Sequence, residues 1–137
     1  MEAHSEMVRA LAKPGEEILA DLDPGKCHAL HMVVGLMGEA AELSIAQTRE
    51  NEVEELGDIE FYLEGLRQET GHSYEDALKF SELMADARTS VVSAAGDVLD
   101  CVKRVVIYNK KLDADQLPKA LGLLEYNLQR FRDSARS

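Results

Sequence analysis

Apolar positions recur along the chain at steps of three and four. Leu30, Val33, Val34, Met37 and Ala41 form one series, and Val53, Leu56, Ile59, Leu63 and Leu66 form the next. At 3.6 residues per turn such steps gather into one stripe on a helix. No run of strict alternation is long enough for a sheet strand, and the β-prone Val105-Val106-Ile107 sits inside a helical pattern. Prolines occur only at 14, 24 and 118, and the first two stand in Pro-Gly turn signals. The pattern predicts short helices over 3–12 and 15–22 and a long helix over 26–48. A turn at Thr48-Arg49-Glu50-Asn51 leads to a second long helix over 52–70. Thr70-Gly71-His72 stops that helix, and Ser73 caps the next, with Asp76 where a capping box prefers Glu or Gln. This helix covers 73–86 and leads into another over 87–109. Asp113 opens the last, over 114–133, with Pro118 near its first turn. The expected fold is all-α, in one domain of 137 residues.

The chain also aligns with itself. Residues Val34 to Leu43 match Val92 to Cys101 at a spacing of 58, and Glu54 to Leu63 match Lys119 to Leu128 at a spacing of 65. Each copy reads as a helical hairpin. Two hairpins packed together predict a four-helix bundle, one hairpin over 25–72 and a degenerate second over 86–134.

Asp plus Glu number 26 against 15 Lys plus Arg, a net charge of −11. Such a surface repels nucleic-acid backbone and anionic lipid, so neither a nucleic acid nor a membrane is an expected partner. No apolar run approaches the ~20 residues of a membrane span, and the first residues, rich in acids, do not read as a secretory signal. Cys27 and Cys101 form no metal-type pair and no disulfide framework, which fits a reducing, cytoplasmic setting. They read as packing residues. No Walker-type loop or dinucleotide fingerprint is present.

The chemistry gathers in carboxylates. Glu39 and Glu42 lie three apart and share a helix face, and Glu55 and Asp58 repeat the spacing on the next helix. If the two helices pair antiparallel, the pairs face each other. Both stand in apolar stretches, where an uncompensated carboxylate is costly. No Lys or Arg occurs between Lys26 and Arg49 to compensate them. A hard divalent cation does so: Mg²⁺ takes oxygen ligands and suits phosphate substrates, with Mn²⁺ as a substitute. Gly38 and Gly57 are expected to let the two helices approach closely. A ferritin-like di-metal bundle would instead need Glu-x-x-His motifs within the helices.

Glu39-x-x-Glu42 followed by Glu55-x-x-Asp58, with Gly38-Glu39-Ala40-Ala41-Glu42-Leu43 and Glu54-Glu55-Leu56-Gly57-Asp58 around them, resembles the signature of the MazG-like and dimeric-dUTPase-type all-α nucleoside triphosphate pyrophosphohydrolases. The resemblance covers residues 28–70. It implies Mg²⁺-dependent cleavage of a nucleoside triphosphate to monophosphate and pyrophosphate, in a cytoplasmic homo-oligomer, dimer or tetramer. Carried over by position, Glu39, Glu42, Glu55 and Asp58 are the metal ligands and Glu54 is a water-orienting base. The family's basic segment is absent after the first acidic helix and its Asn and Lys are not evident around Lys79-Phe80-Ser81-Glu82-Leu83-Met84. A basic segment stands in the second copy instead. Lys103 and Lys110, with Arg104 and Asn109, are therefore the candidate phosphate contacts, Tyr108 the base-stacking ring and His31, beside His28, the pocket rim. Phe61 and Tyr62 read as core or pocket wall. The second copy keeps acids at Asp97 and Asp100 but has Ala120 and Leu123 where Glu55 and Asp58 stand. The rival reading is a helical module without catalysis that binds a nucleotide or a protein partner.

Overall fold

Asp23 opens the first long helix. Its Oδ1 accepts from the Lys26 N–H at 2.8 Å, and Pro24 takes the first helical position, where a missing N–H costs nothing. The expected Pro24-Gly25 turn is thus a helical first turn. The computed structural model describes residues 2–81 and 90–136, and these form seven helices and no strand. They are α1 (Glu2–Leu11), α2 (Gly15–Asp21), α3 (Pro24–Ile45), α4 (Arg49–Thr70), α5 (Tyr74–Ser81), α6 (Val91–Val106) and α7 (Gln116–Arg136). No helix among the described residues is long and apolar enough to cross a membrane.

Capping explains where the boundaries moved. Thr48 accepts from the Asn51 N–H at 3.1 Å, so the expected turn over 48–51 becomes the first turn of α4. Gly71 ends α4 in the left-handed region at φ 76, as its place after Thr70 predicts. Ser73 and Asp76 exchange the two capping hydrogen bonds at the start of α5. The expected helix end at 86 and the next start at 87 lie outside the described residues. Ser90 and Ser93 cap α6 reciprocally. That helix stops at Val106 rather than 109, because Asn109 turns the chain at φ 51 and the Lys110 N–H reaches back to the Arg104 carbonyl. Pro118 falls in the first turn of α7, as expected.

The buried apolar side chains form one cluster, with Leu36, Ile59, Leu63, Leu66, Leu121, Leu124 and Leu128 sealed from solvent. Each contributes about 1.5–3 kcal/mol. α3 packs on α4 and α6, and α7 packs on α6 and α5. A Cβ on Gly35 would strike the Tyr62 ring, and one on Gly65 would strike Met32. The start of α3 therefore lies beside the end of α4, and the two run antiparallel. Gly38 and Gly57 do not serve this approach. Both are exposed, and a Cβ on either would meet nothing within 4 Å. Lys26 Nζ donates to Asn109 Oδ1 at 2.9 Å, so the start of α3 also lies beside the end of α6.

Two ion pairs tie α4 to α7. Arg67 donates to Glu125 at 2.9 Å with both side chains buried, and Arg132 donates to the half-buried Glu60. Glu125 follows Glu60 by 65 residues, and Arg132 follows Arg67 by the same number. α1 and α2 bury no residue. Lys13, between them, bonds the Ile107 carbonyl at 2.7 Å and pairs with Asp21 at 3.5 Å. Two expected packing residues are on the surface: Phe61 is 68% exposed, and Cys27 is exposed while Cys101 is buried.

Candidate metal centre between helices α3 and α4

The antiparallel register that seats Met32 on Gly65 and Gly35 under Tyr62 continues toward the end of α3. One and two turns on, it brings Glu39 and Glu42 opposite the first half of α4. One carboxylate oxygen each from Glu39, Glu42 and Glu55 lies within 4.8 Å of the others. Asp58 is half-buried one turn further along α4 and stands outside this trio. Its charge still acts on Glu55.

Glu39 Oε2 and Glu55 Oε2 are both buried with no hydrogen-bond partner. An unsatisfied buried acceptor costs about 1–3 kcal/mol, and more when charged. The sharing of a proton with Glu55, then burial, then the Glu42 and Glu55 charges push Glu39 up to about 8 from 4.5. Accepting that proton lowers Glu55, but burial and the charges of Glu42 and Asp58 outweigh it and leave Glu55 raised. With both groups ionised no donor faces either oxygen. A proton on Glu39 or a cation between the two relieves the pair. No Lys or Arg pairs with Glu39, Glu42, Glu55 or Asp58 among the described residues.

The donor set fits a hard divalent cation. It is all oxygen, the donor type that Mg²⁺ takes. Glu54 is exposed on the turn that carries Glu55 and lies outside the cluster. His31 is exposed and meets the edge of Tyr62 at a ring separation of 6.4 Å, two turns before Glu39 on α3. His28 is exposed one turn earlier.

The basic segment is elsewhere. Lys103 Nζ lies 5.8 Å from the Tyr108 ring centre. With Asp100, Arg104 and Lys110 they line a surface cavity of ≈ 290 Å³. Asn109 is held by Lys26, thirteen residues before Glu39 and so about 20 Å away along α3. The structure thus brings Glu39, Glu42 and Glu55 together, with Asp58 beside them. It sets Asn109 at the other end of α3, with Tyr108 and Lys110 next to it in the chain, and Lys103 on the cavity that Tyr108 and Lys110 line. Asp97 and Asp100 share a second cavity, of ≈ 280 Å³, with Arg104, Lys119, Ala120 and Leu123.

The Arg67–Glu125 pair was not singled out in the sequence. Its signal was there: the second hairpin's alignment, carried a turn beyond Leu63, matches Arg67 with Arg132. Burial and the Glu60 charge push Glu125 up to about 7, against the pull of Arg67. No protein-family model matches the chain, and neither does any curated protein or solved structure.

Proposed function

We propose that this chain is a divalent-metal-dependent nucleoside triphosphate pyrophosphohydrolase of the MazG-like, dimeric-dUTPase-type group, built as a four-helix bundle of two related hairpins. The observation that carries the reading is the convergence of Glu39, Glu42 and Glu55 across two antiparallel helices, with two buried oxygens that lack any donor. The reciprocal pairs Arg67–Glu125 and Arg132–Glu60 support the bundle. In a two-fold arrangement residue i meets j where j's equivalent meets i's, and the common spacing of 65 has that form.

In this reading Glu39, Glu42, Glu55 and Asp58 hold Mg²⁺ or Mn²⁺. The bound cation would neutralise the carboxylates, bind phosphate oxygens and lower the pKa of a water. Glu54, on the solvent side of the same turn, is the group to accept that water's proton. His31 and Tyr62 offer an edge for the base two turns along α3. Asn109, held by Lys26 about 20 Å from Glu39 along α3, and its neighbour Lys110 stand apart from phosphates held at the carboxylates; Lys103, nearly two turns back on α6, is the cation kept for them.

The test is product analysis on a panel of ribo- and deoxynucleoside triphosphates with Mg²⁺, comparing the native chain with a Glu42→Gln, Asp58→Asn variant. Monophosphate plus pyrophosphate from the native chain alone supports the enzyme and names the base. Inactivity on every nucleotide, with a melting shift on adding Mg²⁺ and one nucleotide, would replace it with a binding module. No activity and no response to metal would end both readings.

A further inference from the structure

Residues Val53, Gly57 and Phe61 lie on one face of α4 at steps of four. At the spacing of 65 their equivalents on α7 are Pro118, Gly122 and Tyr126. The α7 face is covered: Pro118 and Gly122 are buried and Tyr126 is half-buried. Its cover is α5, whose Ala77 carbonyl and Phe80 Cβ would each lie 2.7 Å from a Cβ on Gly122. The α4 face is bare. Val53 is 54% and Phe61 68% exposed, and a Cβ on Gly57 meets nothing within 4 Å. One half of the molecule has a short helix seated in a glycine notch, and the other half has the notch alone.

One helix has the complementary defect. α1 has ten residues, against eight in α5, and none of them is buried. Met7, Val8 and Leu11 are 50%, 48% and 76% exposed. With Ala3 they form one apolar face at helical spacing. His4 lies within that face, Glu6 beside it and Arg9 on the opposite side, and the α4 face is flanked by the acids Glu50, Glu54 and Asp58. Its own α1 does not reach this face. Lys13 pins the end of α1 to Ile107, at the start of α3. The register of Tyr62 on Gly35 sets Gly57 beside Ala40, about 21 Å from Lys26 along α3, while α1 is about 15 Å long.

We propose that α1 of a second copy of this chain docks on the Val53–Gly57–Phe61 face, as α5 docks on α7, and that the exchange is reciprocal about a two-fold axis. A helix laid into an apolar notch is an established mode of recognition, and the reciprocal exchange doubles the contact toward the size of a stable dimer. The inference does not depend on the hydrolytic reading.

The experiment is sedimentation equilibrium on the full chain over a concentration series, with Leu11→Glu and Phe61→Glu variants. Both side chains are on the surface, so the core is untouched, and unchanged urea midpoints in dilute protein check this. Each variant is expected to weaken dimerisation by at least about tenfold, as a charge placed in an apolar contact does. Leu11→Cys and Val53→Cys chains, both in a Cys27→Ser background, are then mixed and oxidised. A disulfide joining one chain of each kind supports the exchange. A native chain that stays monomeric overturns the proposal, as does a dimer indifferent to both Glu substitutions. So does a Leu11→Cys, Val53→Cys double variant that closes its disulfide within one chain in dilute solution.

Discussion

The two acidic pairs of this chain sit on matching turns of α3 and α6 and face different company. Glu39 and Glu42 meet Glu55, with Asp58 a turn away, and two of their oxygens are buried without a donor. Asp97 and Asp100 open on a cavity with Arg104, Lys119, Ala120 and Leu123. The first arrangement concentrates negative charge that a cation relieves. The second supplies cations and apolar groups of its own. An acidic pair on one helix therefore says little. The facing helix decides whether its charge is compensated or left for a cation to relieve.

The largest expected effect follows from that contrast. Glu39→Gln with Glu55→Gln should abolish the rise in melting temperature on adding Mg²⁺ and lower any nucleotide hydrolysis by about 100-fold or more. Asp97→Asn with Asp100→Asn should leave both unchanged. Thermal melts with and without Mg²⁺, paired with product assays, compare the two. Equal responses would erase the distinction between the hairpins.

The ion pairs across α4 and α7 sharpen it further. Arg67→Met strands Glu125 in the core without its partner and should cost about 3–5 kcal/mol. Arg132→Met removes the equivalent pair where both side chains keep solvent access, and should cost less than about 1 kcal/mol. Urea unfolding of the two variants gives the difference. Similar losses would mean that burial does not separate these pairs.

A smaller effect is expected from pH. Glu39 is raised to about 8 in the folded chain from 4.5. Its ionisation is therefore harder folded than unfolded, so its own contribution to stability is fully present below about pH 4.5 and is lost as pH rises through 8. Glu125, raised to about 7, acts in the same direction. In chelator, melting temperature should fall across this window, and Glu39→Gln should flatten only the Glu39 part. Mg²⁺ should oppose the fall, since it favours the ionised carboxylates. A pH profile identical in native chain and variant would remove Glu39 from the account.

The helices were legible because their signals are local. Periodicity marked the helical segments, and Gly71 and Ser73 marked a stop and a start. Two of the misplaced boundaries, at Pro24 and Thr48, are places where a side-chain cap turned an expected turn into a helical one. The meeting of Glu39 and Glu42 with Glu55 was legible too, because a short connection forces α3 and α4 to run antiparallel. The remote residues were not. Asn109 and Lys110 were matched to the site by their chemistry, yet which end of α6 lies beside Glu39 depends on packing direction, and no local pattern encodes that. Phe61 was misjudged for a related reason. Its apolar character says that it wants cover, not that its own chain supplies it.

The smallest effect isolates that last point at two aligned glycines. Gly57 and Gly122 hold equivalent positions on α4 and α7, and sequence alone treats them alike. Replacing a helix-interior glycine by alanine gains about 1 kcal/mol when the new methyl is unopposed. At Gly57 nothing stands within 4 Å of it, so Gly57→Ala should stabilise dilute, monomeric protein by up to about that amount. At Gly122 the methyl would press on the Ala77 carbonyl, which belongs to backbone and cannot swing aside. Gly122→Ala must move α5, and overpacking of this kind costs about 1–3 kcal/mol. Urea midpoints should thus shift in opposite directions. A shift of the same sign at both positions would mean that α5 does not clasp α7 closely, and the contrast between a covered and a bare face would fail with it.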